Sequence, residues 1–198
     1  MINPNKITNF KRTQEQIQEF LLFCIIVAGK NSDVQAKKLD AFLFGSGCSP
    51  FDWIDWIDGK GILEDKLKGV KMGQYNRIAP CFREIAKRFN NGNIYNLTLN
   101  DLMSVKGIGP KTARFFLVHS QEGCDHAILD THVLTWLRQF FGWCPKITPV
   151  GQAYLDWEQI FLDKARELWP NKSIAEIDLE IWKQRSKWDN KKESSVKI

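Results

Sequence analysis

Residues 105–117 read VKGIGPKTARFFL, with two glycines in a Gly-x-Gly turn. Apolar residues recur at helical spacing before this turn and again after it, which predicts two short helices joined by the glycines. Glycine permits a positive φ angle and a close approach of the backbone to another group. The backbone amides of the turn and of the next helix's first turn then converge on one point, where the helix dipole also favours an anion. The stretch therefore predicts a helical hairpin, spanning 98–120, that holds a phosphate group.

The basic residues of the hairpin fit a phosphate that belongs to a polyanion. Lys106, Lys111 and Arg114 place positive charge around the turn, as a nucleic-acid backbone requires. A tight turn between two ordinary helices is the alternative explanation, and for a lone Gly-x-Gly it would be preferred. The predicted phosphate-binding residues are Lys106, Gly107, Gly109, Thr112 and Arg114.

An acidic residue follows the hairpin in residues 128–133, which read ILDTHV. Asp130 directly precedes a helical pattern over 131–141, and aspartate is a favoured residue at the N-cap of a helix. A carboxylate can cap a helix and still act on a ligand, so both roles stay open for Asp130.

The hairpin and the acid together resemble a known family. The hairpin is similar to the helix-hairpin-helix motif, in which two glycines are followed by a basic and a small residue, and Ala113 fills the small position. With Lys111 and Asp130 included, the chain resembles the DNA glycosylase/AP lyases of the helix-hairpin-helix (HhH-GPD) superfamily. Within that superfamily it is most similar to the 8-oxoguanine DNA glycosylases of the archaeal GO glycosylase type.

The resemblance implies a pair of catalytic residues. Lys111 would attack C1′ of the sugar as a neutral amine and form a Schiff base, after which β-elimination would cleave the strand. Asp130 would stabilise the positive charge that develops on the sugar as the base leaves. Desolvation or positive charge from Lys106 and Arg114 would favour the neutral amine of Lys111. Taken singly, Lys111 is explained as a phosphate contact and Asp130 as a helix cap.

The expected function is that of a bifunctional DNA glycosylase/AP lyase of base excision repair, acting on an oxidised base that is most simply 8-oxoguanine. The lysine favours this class because monofunctional glycosylases for adenine or alkylated bases normally lack it. An oxidised-pyrimidine glycosylase of the same superfamily is one alternative. A non-enzymatic DNA-binding module that uses the hairpin only to grip phosphates is the other.

Three residues are predicted to line a base pocket: Phe115, Asp178 and Trp182. Phe115 follows Lys111 by one helical turn on the same face, where its ring would lie beside an extruded base. Asp178 and Trp182 are one turn apart and resemble the late helix of 8-oxoguanine glycosylases, which binds and stacks on the purine. A core phenylalanine and a plain amphipathic helix are the simpler explanations.

A duplex wedge is predicted in the loop that contains Lys30 and Asn31. The resemblance places there a loop that penetrates the duplex beside the extruded nucleotide. A helix that ends at Gly29, followed by a solvated lysine, explains the same residues.

The composition is compatible with a DNA-binding protein, but it also fits proteins that do not bind DNA. The 198 residues carry a net charge of +5, and a hydrophobic content of 43% is enough for a real core. The five cysteines lack metal-ligand spacing, and the iron-sulfur loop of endonuclease-III-like relatives is missing, so we expect no metal and no iron-sulfur cluster. The resemblance leaves open a monovalent cation at the hairpin, held by carbonyls near Val105 and Gly107. The expected partner is double-stranded DNA with a damaged base, bound by a cytoplasmic, nucleoid-associated monomer without a membrane span.

The rest of the chain reads as helices, and no convincing strand pattern occurs, so the predicted class is all-α. The resemblance implies two helical lobes that flank a DNA-binding cleft. Residues 1–72 and 142–188 would form one lobe, 73–141 the lobe with the hairpin, and 189–198 a flexible tail. The predicted helices are 13–28, 32–44, 50–57, 74–89, 98–104, 110–120, 131–141, 151–169 and 173–187.

Overall fold

The structure is a computed structural model that describes residues 2–90 and 92–195, with the side chains of 185–195 excepted. Within these residues it contains helices and no strand, so the predicted all-α class is confirmed. Short 3-10 helices occur at Pro4–Lys6 and Ile94–Asn96. The α-helices are α1 Gln14–Ile26, α2 Ser32–Leu43, α3 Pro50–Gly59, α4 Leu63–Gly69, α5 Tyr75–Phe89, α6 Leu99–Met103, α7 Pro110–Ser120, α8 Thr131–Phe141, α9 Gln152–Leu168 and α10 Ile174–Ser195.

The described chain divides into two compact units, and the first extends to Glu122 with α1 at its centre. A capping box begins α1, in which Thr13 and Gln16 each accept a hydrogen bond from the other's backbone N–H. Residues 20–26 are buried on every side because α2, α3, α5 and α7 all pack against this helix. The apolar run in α1 is therefore core, as a helix that is hydrophobic all round must be.

The hairpin helices belong to this first unit. α7 packs against both α1 and α6, and Ala113 is fully buried in α7. A small side chain at this position allows close helix packing, as the motif predicts. The orientation of α7 is therefore fixed by the core, and the turn before α7 is fixed with it.

The second unit begins at Gly123 and contains α8, α9 and α10. Both α8 and α9 pack against α10. Trp136 is 5% exposed and lies between two aromatic neighbours: its ring stacks on Trp169 at 5.6 Å and meets the edge of Phe161 at 5.6 Å. Burial of large rings in this way typically contributes about 1.5–3 kcal/mol for each side chain.

Two helices differ from the sequence prediction. The helix α4 was not predicted because it is only one or two turns long and lies between Gly61 and Gly69, yet Leu63 and Leu67 are buried. Helix α10 runs to Ser195, beyond the predicted end at residue 187, since the intervening residues include neither glycine nor proline.

The predicted lobes and tail stay predictions. The two compact units divide the chain at different points from the predicted lobes, and the cleft depends on the arrangement of one unit against the other. Of the predicted tail, residues 196–198 lie outside the described residues, as do the side chains of 189–195. No helix among the described residues is long and apolar enough to cross a membrane.

Candidate active site

The predicted hairpin is present, and buried apolar residues fix both of its sides. Val105 and Ile108 are 1% and 5% exposed, and the Ile108 N–H donates to the Val105 carbonyl at 3.1 Å. Gly107 lies between them with φ +103°. This turn requires glycine, because an L-residue rarely adopts that angle.

Gly107 also lies close to α5. A Cβ atom at this position would be 3.2 Å from Cβ of Cys81 and 3.4 Å from the carbonyl oxygen of Arg77. The Arg77 guanidinium donates to the Gly107 carbonyl at 3.1 Å. The carbonyls of Gly107 and Val105, near which the resemblance leaves open a monovalent cation, both accept hydrogen bonds. The guanidinium disfavours a cation at Gly107, and the question of an ion at the hairpin stays open.

The N-terminus of α7 is open for an anion. Gly109 precedes the helix and provides no side-chain cap, and Pro110 occupies the first helical position. The backbone amides of Lys111 and Thr112 belong to the first turn, where no intrahelical carbonyl is available to accept from them. Glycine, proline and two uncapped amides are compatible with an anion at this helix end, and the phosphate contact stays a prediction.

The predicted phosphate-binding side chains divide into exposed and buried ones. Lys106 is exposed and Lys111 is partly exposed. Thr112 is 6% exposed, so its backbone amide rather than its hydroxyl is placed for an anion. Arg114 is only 2% exposed, and its guanidinium donates to the Pro110 carbonyl. The structure therefore does not support the predicted phosphate contact of Arg114: the side chain is buried in the packing of α7 and lacks the exposure that this contact needs.

The two phenylalanines after Arg114 both contact α1. Phe116 is fully buried and stacks on Phe20 at 5.7 Å. Phe115 meets the edge of Phe20 at 6.0 Å and the ring of His119 at 5.1 Å, but it remains partly exposed. Both rings can reach α1 because Phe20 lies between them. The exposed part of Phe115 keeps open its predicted role beside a base.

Asp130 is the N-cap of α8, in the second unit. Its Oδ1 atom accepts hydrogen bonds from the backbone N–H groups of His132 at 2.8 Å and Val133 at 2.9 Å. The predicted capping role is thus confirmed, and it orients the carboxylate. The catalytic role stays a prediction, and Lys111 belongs to the other unit.

Buried polar side chains of α9, which the sequence analysis missed, hold the strand-like segment before Asp130. The Tyr154 hydroxyl donates to the Ala127 carbonyl at 2.8 Å and accepts from the Leu129 N–H at 3.2 Å. The Glu158 carboxylate accepts from the Ala127 N–H at 2.8 Å. The sequence shows a tyrosine and a glutamate one helical turn apart in α9, but no pattern in it connects them with residues 127–129.

The other predicted base-pocket residues lie in the same unit as Asp130. Asp178 and Trp182 are both partly exposed, one turn apart on α10. This spacing matches the prediction that one binds a base edge and the other stacks on it. Their role in base recognition stays a prediction.

The predicted wedge residues have structural partners. The Lys30 ammonium donates to the Met72 carbonyl at 2.9 Å, and the Asn31 side chain caps α2 by accepting from the Val34 N–H. Both contacts explain these residues without DNA. The structure gives the wedge no support beyond the exposure of Asn31.

Among the described residues, no group of histidine, cysteine, aspartate and glutamate side chains could hold a metal ion. All five cysteines are free thiols.

The chain is similar to known proteins in sequence and in structure. No protein-family model matches the chain. The chain is 27% identical to the 8-oxoguanine DNA glycosylase/AP lyase of Thermoplasma volcanium, in an alignment that covers 92% of this chain and 88% of the relative. The resemblance predicted from the hairpin is confirmed.

A solved structure extends the likeness to the fold. It is that of the Methanocaldococcus jannaschii 8-oxoguanine glycosylase/lyase in complex with a 15mer DNA that contains 8-oxoguanine. The TM-score is 0.65 at 24% identity, over 91% of this chain and 87% of that one. The chain thus has the helical fold of this glycosylase/lyase.

Proposed function

We propose that this protein is a bifunctional DNA glycosylase/AP lyase of base excision repair that removes 8-oxoguanine from double-stranded DNA. The observation that carries the proposal is the open N-terminus of α7: the first turn presents uncapped amides and Lys111 directly after a glycine hairpin. The similarity to the archaeal relative over nearly the whole chain supports the same activity.

The first step removes the base. The neutral Lys111 amine attacks C1′ of the damaged nucleotide, the bond from C1′ to the base nitrogen breaks, and the base leaves with the bonding electrons and takes up a proton. Positive charge develops on the sugar as this bond stretches. The Asp130 carboxylate, oriented by two backbone amides of α8, stabilises that charge.

The second step cleaves the strand. Opening of the sugar ring converts the lysine adduct into a Schiff base, in which nitrogen is doubly bonded to C1′. Removal of a proton from C2′ then expels the 3′ phosphate, as the C3′–O bond breaks and a C2′–C3′ double bond forms. Hydrolysis of the Schiff base returns the Lys111 amine.

Borohydride trapping tests this mechanism directly. Reduction converts the Schiff base into a stable amine, so wild-type protein and a duplex with 8-oxoguanine opposite cytosine should give a covalent adduct. Lys111→Gln should give none. A wild type that forms no adduct on any damaged duplex, while still binding DNA, would favour the non-enzymatic module. An adduct at full yield in Lys111→Gln would exclude this lysine as the nucleophile.

The base is tested with a panel of single-lesion duplexes. The partly exposed Asp178 and Trp182 of α10 support a purine, since a carboxylate can bind its N–H groups and an aromatic ring can stack on it. The partly exposed ring of Phe115 is a further candidate for stacking. Cleavage at thymine glycol without cleavage at 8-oxoguanine would assign the protein to the oxidised-pyrimidine class instead. We propose that the protein is a cytoplasmic monomer that associates with the nucleoid and acts on chromosomal DNA.

A further inference from the structure

Arg77, near the start of α5, lies directly against the hairpin. Its Nη1 atom donates to the Gly107 carbonyl at 3.1 Å and its Nη2 atom to the Ile25 carbonyl at 2.8 Å. Both Nη2 and Nε also donate to the side-chain oxygen of Gln74, at 2.7 and 3.1 Å. One guanidinium thus joins the hairpin turn, the last turn of α1 and the N-cap residue of α5.

All three acceptors are neutral, so the charge of Arg77 has no carboxylate partner among the described residues. Burial lowers the pKa of Arg77 from its usual value, as expected for a cation removed from water without a counterion. The adjacent Cys81 thiol does not offset the charge, because burial raises the pKa of Cys81 to about 12. The thiol is therefore neutral at pH 7.

Arg83, on the same helix, differs from Arg77 in that it binds a carboxylate. Its guanidinium binds both oxygens of the Asp58 carboxylate at 2.7–2.8 Å. Arg83, which links α5 to α3, is thus paired with an acid. Among the described residues, Arg77 instead donates only to neutral oxygens, and one of these is the Gly107 carbonyl of the hairpin.

We propose that Arg77 is a positioning residue for DNA binding: it holds the Gly-x-Gly turn in its phosphate-binding conformation and adds an uncompensated positive charge beneath it. This inference rests on the proposed function, because it assigns the hairpin a DNA phosphate as its ligand. Gly107 is held from two directions, by the hydrogen bond to its carbonyl and by the packing of the Arg77 stem at its α-carbon.

This role predicts a loss in binding rather than in chemistry. Without the guanidinium, the Gly107 carbonyl loses its donor and the turn gains conformational freedom that phosphate binding must then remove. The loss should be the same for damaged and undamaged duplexes, because a phosphate contact carries no sequence information. Borohydride trapping at saturating DNA separates a loss of binding from a loss of chemistry.

The test compares Arg77→Met, Arg77→Lys and the control Arg83→Met, which removes an arginine of the same helix together with its ion pair. Duplex affinity is measured with an abasic-site analogue and with undamaged DNA at several salt concentrations, and hydrogen exchange is followed at residues 105–109. Arg77→Met should weaken both affinities about tenfold, reduce their salt dependence because a positive charge near the phosphate is lost, and speed exchange in the hairpin. Arg83→Met should leave all three at wild-type values.

Arg77→Lys separates positioning from charge. It should retain the wild-type salt dependence but show the faster hairpin exchange, since a single nitrogen cannot reach the separated acceptors that the three guanidinium nitrogens span. Wild-type affinity and hairpin exchange in both Arg77 variants would overturn the proposal. An equal rise in hydrogen exchange throughout α5 in both variants would also overturn the proposal, because it would show that Arg77 has a general structural role. Affinity and exchange are independent of catalysis, so a wild type that fails in borohydride trapping refutes the proposed enzyme and leaves these measurements as a separate test.

Discussion

The turn before α7 and the segment before α8 carry the two proposed catalytic residues, and they are built in opposite ways. At the hairpin, backbone groups face outward: no side chain caps α7, and the amides of its first turn stay available. Before α8, backbone groups are already occupied, because Tyr154 and Glu158 bind the segment and the Asp130 carboxylate caps the helix.

The difference follows from what each region has to hold. A region that binds an external anion must leave its amides unsatisfied, and water occupies them until the ligand arrives. A region that must aim one carboxylate gains from fixing every atom around it, since misplaced groups lose catalytic effect. In the proposed mechanism the hairpin thus provides affinity and the Asp130 segment provides orientation, and substitutions should separate the two.

The largest effect is expected for the lysine on the hairpin side. Lys111→Gln removes the only atom that can form the Schiff base in the proposed mechanism, so the borohydride adduct should disappear entirely, while duplex affinity falls only severalfold. The matched control is Lys106→Gln, an exposed lysine of the same hairpin. It should weaken binding to a similar extent and still form the adduct at saturating DNA. Loss of the adduct in both variants would mean that the hairpin charge, and not one nucleophile, is required.

The next largest effect is expected for the carboxylate. Asp130→Asn should slow base removal by about two to three orders of magnitude, with nearly unchanged duplex affinity. Asparagine is an N-cap as good as aspartate, so the free energy of unfolding should change by less than about 0.5 kcal/mol, whereas Asp130→Ala should cost about 1 kcal/mol. Single-turnover kinetics and urea unfolding measure the two quantities. Base removal at the wild-type rate by Asp130→Asn would leave this residue with its capping role alone.

The contrast between the hairpin and the Asp130 segment also explains which features could be predicted from the sequence. The hairpin and the Asp130 cap are local: glycines, proline and an aspartate before a helical pattern specify them within a few residues, and both were predicted correctly. The burial of Arg114 was not predictable in this way, because periodicity places a basic residue near the turn but does not show how tertiary packing buries its side chain.

Contacts between distant residues were missed for the same reason. No local pattern connects Arg77 with Gly107, or Tyr154 with Ala127 and Leu129. Each depends on a backbone group of one segment that needs a partner when it is buried, and only the folded chain shows which side chain supplies it. The support around both catalytic candidates is therefore visible only in the structure.

A smaller effect is expected at the turn itself. Gly107→Ala forces a side chain into a φ of +103° and places Cβ 3.2 Å from Cys81, so we expect a loss of about 1–3 kcal/mol in unfolding free energy. Duplex affinity should fall about tenfold, a free energy of about 1.4 kcal/mol. Gly45→Ala is the control, because φ is +74° there and nothing lies within 4 Å of the new Cβ. It should lose stability without losing affinity, and equal losses of affinity in both would refute a specific role of the turn.

The smallest effect is expected where a single hydroxyl supports the segment before α8. Tyr154→Phe removes the donor to the Ala127 carbonyl and the acceptor for the Leu129 N–H, and both groups are buried. The expected loss of unfolding free energy is about 1–3 kcal/mol. Base removal should slow about threefold, because Asp130 is aimed less firmly, and duplex affinity should stay at the wild-type value.

Tyr95→Phe provides the matched control, since the Tyr95 hydroxyl also donates to a backbone carbonyl, that of Arg12, but in the first unit. It should change neither base removal nor affinity. If Tyr154→Phe weakened DNA binding while leaving the rate of base removal intact, the segment before α8 would serve affinity as the hairpin does. The proposed division, in which the hairpin binds DNA and the segment before α8 orients Asp130, would then be wrong. It requires that weaker support of this segment slow the chemical step.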